Sequence, residues 1–91
     1  MINICGIKGI VTQKVDFKFM ISKTHDAIAI FRLNLENDST VTVKAFDEWA
    51  DYCYSNLEEG CTAVIYGRIN SEMEIIAEEV YSENEEPIEI F

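Results

Sequence analysis

The fold is predicted most directly from residues 27–60, AIAIFRLNLENDSTVTVKAFDEWADYCYSNLEEG. The spacing of hydrophobic residues changes within this stretch. Over residues 27–35, apolar side chains occupy every second position, and the alternation returns over residues 40–46. A period of two residues is typical of strands that bury one face. The polar run at residues 36–39 is typical of a tight turn, so this part predicts two strands joined by a short connection.

The period lengthens to that of a helix after residue 46. Trp49, Cys53 and Leu57 lie four residues apart, which places them on one face of a helix. Asp47 is a favourable N-cap residue, and Gly60 is favourable just past a helix C-terminus. The pattern predicts one helix of about ten residues, with Trp49 packed against the rest of the protein.

Further strands are predicted on both sides of this region. They cover residues 2–11, 61–69 and 73–80. Residues 15–21 also alternate and are expected to form a short strand or an extended connection. The order of three long strands, one helix and two strands predicts an all-β protein, a five-stranded oligonucleotide/oligosaccharide-binding (OB) barrel with one helix between strands 3 and 4. We expect residues 1–81 to form this domain and residues 82–91 to form an acidic tail.

The composition restricts the class of protein. A chain of 91 residues holds one domain, and 48% hydrophobic residues is too many for a disordered chain. No apolar run approaches the ~20 residues of a membrane span, and the amino terminus lacks a signal-peptide pattern, so a cytoplasmic protein is expected. Cys5, Cys53 and Cys61 lie in apolar stretches without Cys-x-x-Cys spacing, which predicts buried thiols rather than disulfides or zinc ligands.

Charge is distributed unevenly along the chain. The formal net charge of −10 by itself argues against a nucleic-acid partner. However, residues 1–44 carry six cations and four anions, whereas residues 45–91 carry one cation, Arg68, and 13 anions. The first half, with net charge +2, contains predicted strands 2 and 3, across which OB folds usually bind their ligands. The uneven distribution indicates a cationic face and a separate acidic element.

Several short motifs occur in one register along residues 9–80. They are Gly9-x-Val11 followed by Lys18-Phe19, Ala27-Ile28-Ala29-Ile30-Phe31-Arg32-Leu33, Phe46-x-x-x-Ala50-Asp51, Leu57-x-x-Gly60 and Gly67-Arg68-Ile69. Their order and spacing resemble the bacterial single-stranded DNA-binding protein (SSB) family, in which Glu and Lys stand where this chain has Asp51 and Glu59. The resemblance implies an OB fold that binds single-stranded DNA without sequence specificity in replication, recombination or repair.

Binding of single strands needs flat rings on which bases stack, with cations beside them for the phosphates. Phe46 and Lys44 are the strongest candidates because they share the outward face of strand 3. The candidate nucleic-acid-binding residues are Phe46, Lys44, Thr42, Arg32, Lys18, Phe19, Phe17, Lys14, Tyr66 and Arg68. One of Phe17 and Phe19 is expected to belong to the core, and a core position at the barrel end is the alternative for Phe46.

The chain ends in a short acidic segment, Glu85-Glu86-Pro87-Ile88-Glu89-Ile90-Phe91. It resembles the tip through which SSB proteins recruit replication and repair enzymes. Apolar end residues would fill a pocket on the partner while carboxylates meet basic residues around it. The predicted partner-binding residues are Glu85, Glu86, Ile88, Glu89, Ile90 and Phe91. The alternative is an end that pairs as a strand at a sheet edge.

The turns after residues 36 and 70 are shorter than the long hairpin arms typical of the family. This shortening resembles the compact primosomal SSB-like relatives, which act as dimers. An exposed edge on residues 2–8 favours pairing between copies. We therefore expect a homo-oligomer, either a dimer or a tetramer.

Two other classes of function, an enzyme and a protein-interaction subunit, involve the same residues. No nucleophile-elbow motif, phosphate-binding Gly loop or metal-ligand spacing is present, and His25 is expected to be a solvated turn residue, so no enzyme activity and no cofactor are predicted. The acidic second half, with Ile28 and Ile30 on the outward face of strand 2, leaves a second interpretation open. In that interpretation the chain is an SSB-derived protein-interaction subunit with little or no nucleic-acid binding.

Overall fold

The computed structural model describes residues 5–82, which form strands and one helix. The elements are β1 (Cys5–Val11), β2 (Asp16–Phe19), β3 (Ala27–Asn34), β4 (Thr40–Phe46), α1 (Glu48–Asn56), β5 (Thr62–Ile69) and β6 (Ile75–Ser82). Within these residues, no helix has the length and apolar character needed to cross a membrane.

Five of the strands close into a barrel. The sheet runs in the order β1-β5-β6-β4-β3-β2, and a further pairing of β1 with β3 closes the circle. All pairings are antiparallel except that of β4 with β6. The predicted five-stranded barrel with one helix is confirmed. The short β2 adds a sixth strand at the edge of β3, outside the closed barrel. The helix therefore lies between the third and fourth barrel strands, β4 and β5, as predicted.

The last strand is shifted by two residues from its predicted position. Asn70 Oδ1 accepts hydrogen bonds of 2.9 Å from the backbone N–H groups of Glu72 and Glu74, so the turn continues to residue 74. At the other end, Ser82 is 4% exposed, and its N–H donates to Tyr52 Oη at 3.0 Å. Ser82, predicted to begin the tail, is therefore part of the barrel.

The core lies inside the barrel and beneath the helix. Alternate residues of β3 point inward, as the period of two predicts, and Phe31 and Leu33 have no solvent exposure. Helix α1 closes one end of the barrel with Cys53, and the half-buried Trp49 packs against the core and against Tyr81 of β6. The predicted packing role of Trp49 is confirmed.

The cysteines differ in burial. Cys53 is fully buried, and desolvation raises the pKa of its thiol to about 12. Cys5 and Cys61 are only half-buried, and all three thiols are free among the described residues. The prediction of a buried structural thiol therefore holds fully for Cys53 alone.

Candidate nucleic-acid interface

The outward-pointing side chains of β3 and β4 form one continuous surface. Residues directly opposite each other in an antiparallel pair lie on the same face of the sheet. The register places Ile28 opposite Phe46, Ile30 opposite Lys44 and Arg32 opposite Thr42. Because the residues between them fill the core, these six side chains point outward. We call this surface the β3–β4 outer face: Ile28, Ile30, Arg32, Thr42, Lys44 and Phe46.

The neighbouring strands extend this face on both sides. On β2, Lys18 lies opposite Ile28. On the other side, Ile76 of β6 lies beside Lys44, and Arg68 of β5 lies opposite Ile76. These registers place four of the predicted phosphate-binding cations at outward positions on β2, β3, β4 and β5: Lys18, Arg32, Lys44 and Arg68.

Carboxylates accompany three of these cations. Lys44 Nζ lies 2.9 Å from Glu74 Oε1, Lys18 Nζ lies 3.4 Å from Asp16 Oδ2, and Arg68 Nε lies 3.4 Å from Glu78 Oε1. The pKa of Glu74 is lowered by a hydrogen bond from Asn70 and then by Lys44, so this carboxylate stays ionised. Arg32 donates to Thr40 Oγ1 at 3.1 Å and makes no ion pair within residues 5–82. Much of the positive charge on this face is thus balanced locally.

The ring of Phe46 is stacked against the ring of His25. Their centroids lie 4.3 Å apart, and their planes differ by 24°. His25 belongs to the connection between β2 and β3, and its Nδ1 lies 2.8 Å from Asp47 Oδ2. His25 lies in a turn and its side chain is 40% exposed, as expected, but its ring also has partners, because this loop folds back onto the end of β4. In the sequence, the only feature that could have indicated a role for His25 is its position next to the strands that bind ligands in OB folds.

Asp47 occupies the N-cap position but does not cap the helix. Its backbone lies at a φ of 55°, and its side chain makes no hydrogen bond to the helix N-terminus. Instead, Oδ1 accepts from the backbone N–H of Asp26 at 2.7 Å and of Ala27 at 3.4 Å. The predicted capping role of its side chain is wrong because the carboxylate faces the start of β3.

Phe17 and Phe19 lie on the opposite face of the sheet. The register places Phe17 opposite Ala29 and Phe19 opposite Ala27, and both alanines point into the core. Phe17 packs against Tyr54 of α1 at a centroid distance of 5.1 Å. Phe17 therefore packs against the core as expected for one of the two, whereas Phe19 remains 84% exposed, with its ring centroid 5.2 Å from that of Phe17. The structure brings neither ring to the β3–β4 outer face.

Two other candidates also lie away from this surface. Lys14 is exposed and lines a shallow cleft with Tyr54 and Glu58, at the helix side of the barrel. Tyr66 points outward from β5, but its cross-strand neighbours are Gly6 and Glu79 rather than residues of β3 or β4. The structure thus separates Lys14 and Tyr66 from Phe46.

The closed barrel, the helix after β4 and the exposed face across β3 and β4 define the arrangement of an OB fold. Solved structures of SSB proteins are similar to this architecture. The chain is similar to the SSB domain of a protein from Synechococcus sp., with a TM-score of 0.78 and 17% identity over 89% of this chain and 96% of that one. It is similar to the single-stranded DNA-binding protein from Thermus aquaticus, with a TM-score of 0.79 and 19% identity over 99% of this chain and 44% of that one. A third match is the small single-stranded DNA-binding protein from Streptomyces coelicolor, with a TM-score of 0.74 and 17% identity over 88% of this chain and 91% of that one.

These likenesses confirm the fold that the motifs implied. The chain spans less than half of the Thermus aquaticus protein but nearly all of the other two matched chains. No family model and no curated protein matches the sequence.

Proposed function

We propose that this chain binds single-stranded DNA without sequence specificity through the β3–β4 outer face, in replication, recombination or repair in the cytoplasm. The main support for the proposal is the stacked pair of Phe46 and His25. Phe46 lies at the end of β4, on the same outer face as Lys44 and Arg32. Rings with cations beside them suit stacked bases and their phosphates. The similar proteins from Thermus aquaticus and Streptomyces coelicolor are single-stranded DNA-binding proteins, which supports the same ligand class here.

The charges of the site limit the affinity. Arg32 and Lys44 lie on the face, and Lys18 and Arg68 lie on strands beyond it. Each phosphate neutralised on a single strand contributes about −0.7 to the slope of log K against log salt. We therefore expect a slope no steeper than about −3. The carboxylates beside Lys18, Lys44 and Arg68 lower the net positive charge further.

The direct test is a fluorescence-anisotropy titration of a labelled oligothymidylate at low and moderate salt. Phe46→Ala is expected to weaken binding about fivefold or more, because stacking on one ring contributes ~1–3 kcal/mol per base. Lys44→Ala is expected to reduce affinity and the salt slope. Tyr54→Ala is the matched control, since Tyr54 is 55% exposed on α1, away from this face.

Two results would overturn the proposal. One is the absence of binding at low salt. The other is an equal affinity for the Phe46→Ala and Tyr54→Ala variants, each confirmed to be folded by urea unfolding.

We also propose that the chain acts as a homo-oligomer, a dimer or a tetramer. β1 pairs with β5 over residues 5–10 but with β3 only at residues 10 and 11. Residues 5–7 therefore have no second pairing strand among residues 5–82, and such an edge favours pairing between copies. Light scattering measures the mass in solution, and a monomer at all concentrations would refute this proposal.

A further proposal concerns partner recruitment by the carboxyl-terminal tip. The predicted docking residues 85–91 lie outside the described residues, so the proposal rests on their sequence alone. Replication and repair proteins are the proposed partners. A pull-down with and without residues 85–91 tests this role, and equal recovery of partners would refute it.

One observation favours a second candidate function, a protein-interaction subunit with little nucleic-acid binding. Ile28, Ile30 and Ile76 are half-buried apolar side chains on the outward side of the barrel, and the neighbouring Lys44 is paired with Glu74. An apolar strip with balanced charge suits a protein partner. Absence of oligothymidylate binding at low salt would favour this function.

A further inference from the structure

His25 covers one face of Phe46 and presents its own ring to solvent. The His25 side chain is 40% exposed, whereas Phe46 is half-buried between its neighbours at the end of β4. In a stack of two rings, the outer ring is the one that an arriving base meets. We infer that His25 is a further nucleic-acid-binding residue, the ring on which a base stacks, and that Phe46 supports it from beneath. This inference rests on the function proposed above.

The imidazole is held in place for this role by Asp47. One carboxylate oxygen of Asp47 bonds to His25 Nδ1 at 2.8 Å, and the other accepts the backbone N–H of Asp26 at 2.7 Å. The loop is also tied at its base, because Met20 N–H donates to the Asp26 carbonyl at 2.8 Å. A ring fixed before the ligand arrives loses little conformational entropy on binding.

A cation lies in the same cross-strand row as the stack. Lys18 is opposite Ile28, and Ile28 is opposite Phe46, so the three side chains form one row across β2, β3 and β4. A DNA strand whose base stacks on His25 and whose backbone follows this row would pass Lys18, which is paired with Asp16 at 3.4 Å. The two-ring stack with a neighbouring lysine is the arrangement that sequence-tolerant binding requires.

The first test uses the fact that His25 is the only histidine of the chain. Its ring protons give a unique pair of resonances in a proton NMR spectrum. Addition of an oligodeoxyadenylate at fixed pH is expected to shift both resonances upfield, because a stacked purine exerts a ring current on them. Unshifted resonances at a DNA concentration that saturates binding by anisotropy would overturn the inference.

The second test uses variants. His25→Ala is expected to weaken oligonucleotide binding about fivefold, whereas His25→Phe, which keeps a ring, stays within about twofold of the native affinity. If the two rings act as one stack, the double variant His25→Ala/Phe46→Ala loses less than the sum of the single losses. Urea unfolding checks that each variant is folded.

The outcomes separate the two claims. A native protein that does not bind the oligonucleotide overturns the proposed function and this inference together. Native binding that Phe46→Ala weakens and His25→Ala leaves unchanged overturns this inference alone.

Discussion

At the scale of single residues, Asp47 organises the loop beside the candidate interface. Its carboxylate accepts hydrogen bonds from the His25 ring and from the backbone N–H groups of Asp26 and Ala27. The pKa of Asp47 is lowered, first by the bond with His25 and then by the bond from Asp26. A carboxylate that is bonded in the folded state favours folding while it stays ionised.

Asp47→Asn is expected to reduce the dependence of stability on acid pH. Because the folded pKa of Asp47 lies below its unfolded value, its contribution is present above the ordinary aspartate pKa of about 3.9 and is lost as the pH falls through the lower folded value. The free energy of unfolding in urea, measured at neutral pH and near pH 3, should fall less in Asp47→Asn than in the native protein. Glu74, whose pKa is also lowered, retains its own share of the dependence.

The matched control for this prediction is Asp51→Asn, which removes an exposed carboxylate of α1 that makes no ion pair within residues 5–82. It removes the same charge and leaves the Asp47 bonds in place. Equal pH dependence in Asp47→Asn and the native protein would show that the Asp47 bonds do not contribute to stability.

The sequence could predict the position of Asp47 but not its bonds. An aspartate before a helix is a good N-cap, yet its carboxylate accepts from whichever N–H groups lie within reach. Here the start of β3 and His25 come within reach only because β3 pairs with β4 along its full length. That contact spans about twenty positions of chain, so the local pattern contains no information about it.

At the scale of elements, Gly67 allows β5 and β6 to pair through a bulge. The register shifts between Tyr66 and Gly67, and this brings the β6 backbone close to the Gly67 Cα. A Cβ at Gly67 would collide with the carbonyl oxygen of Ile76, whereas one at Gly6 would meet the ring of Tyr66 at 2.9 Å. A backbone neighbour in a sheet cannot move aside as a side-chain ring can.

Gly67→Ala is therefore expected to destabilise the protein by about 1–3 kcal/mol, the usual range for overpacking. Gly6→Ala, the matched control, should have a smaller effect because the Tyr66 ring can turn. The midpoint of urea unfolding measures both. A native-like midpoint for Gly67→Ala would contradict the close approach of the two strands.

The pairing of strands also determines which candidate residues lie on the same face of the sheet. Alternation predicted that Phe17 and Phe19 share a face, but a shift of one residue in register would move both to the other side of the sheet. The pairing of β2 with β3 decides the matter, and the sequence of a four-residue strand does not specify it. The longer β3 and β4 behave differently, because their alternating apolar residues place Phe46, Lys44 and Arg32 on the outward side without reference to register.

At the scale of the whole molecule, the fold places cations at outward positions on connected strands. The net charge of −10 does not indicate this local distribution. Lys18, Arg32, Lys44 and Arg68 lie at outward positions on four strands that a continuous run of pairings connects. The division of charge along the chain predicted a cationic face. It did not predict that Glu74, from the acidic half, would pair with Lys44, because that contact joins residues 30 positions apart.

The binding surface can be located most directly by titrating the nitrogen-15-labelled protein with an oligothymidylate and recording amide shifts by NMR. Single-stranded DNA bound at the β3–β4 outer face should shift amides of β3, of β4 and of the loop at residues 20–26. The amides of α1, with exposed Tyr54 as the reference position, should stay in place. Shifts confined to α1 and the neighbouring Phe19, or no shifts at low salt, would contradict the assignment of this face as the DNA-binding site.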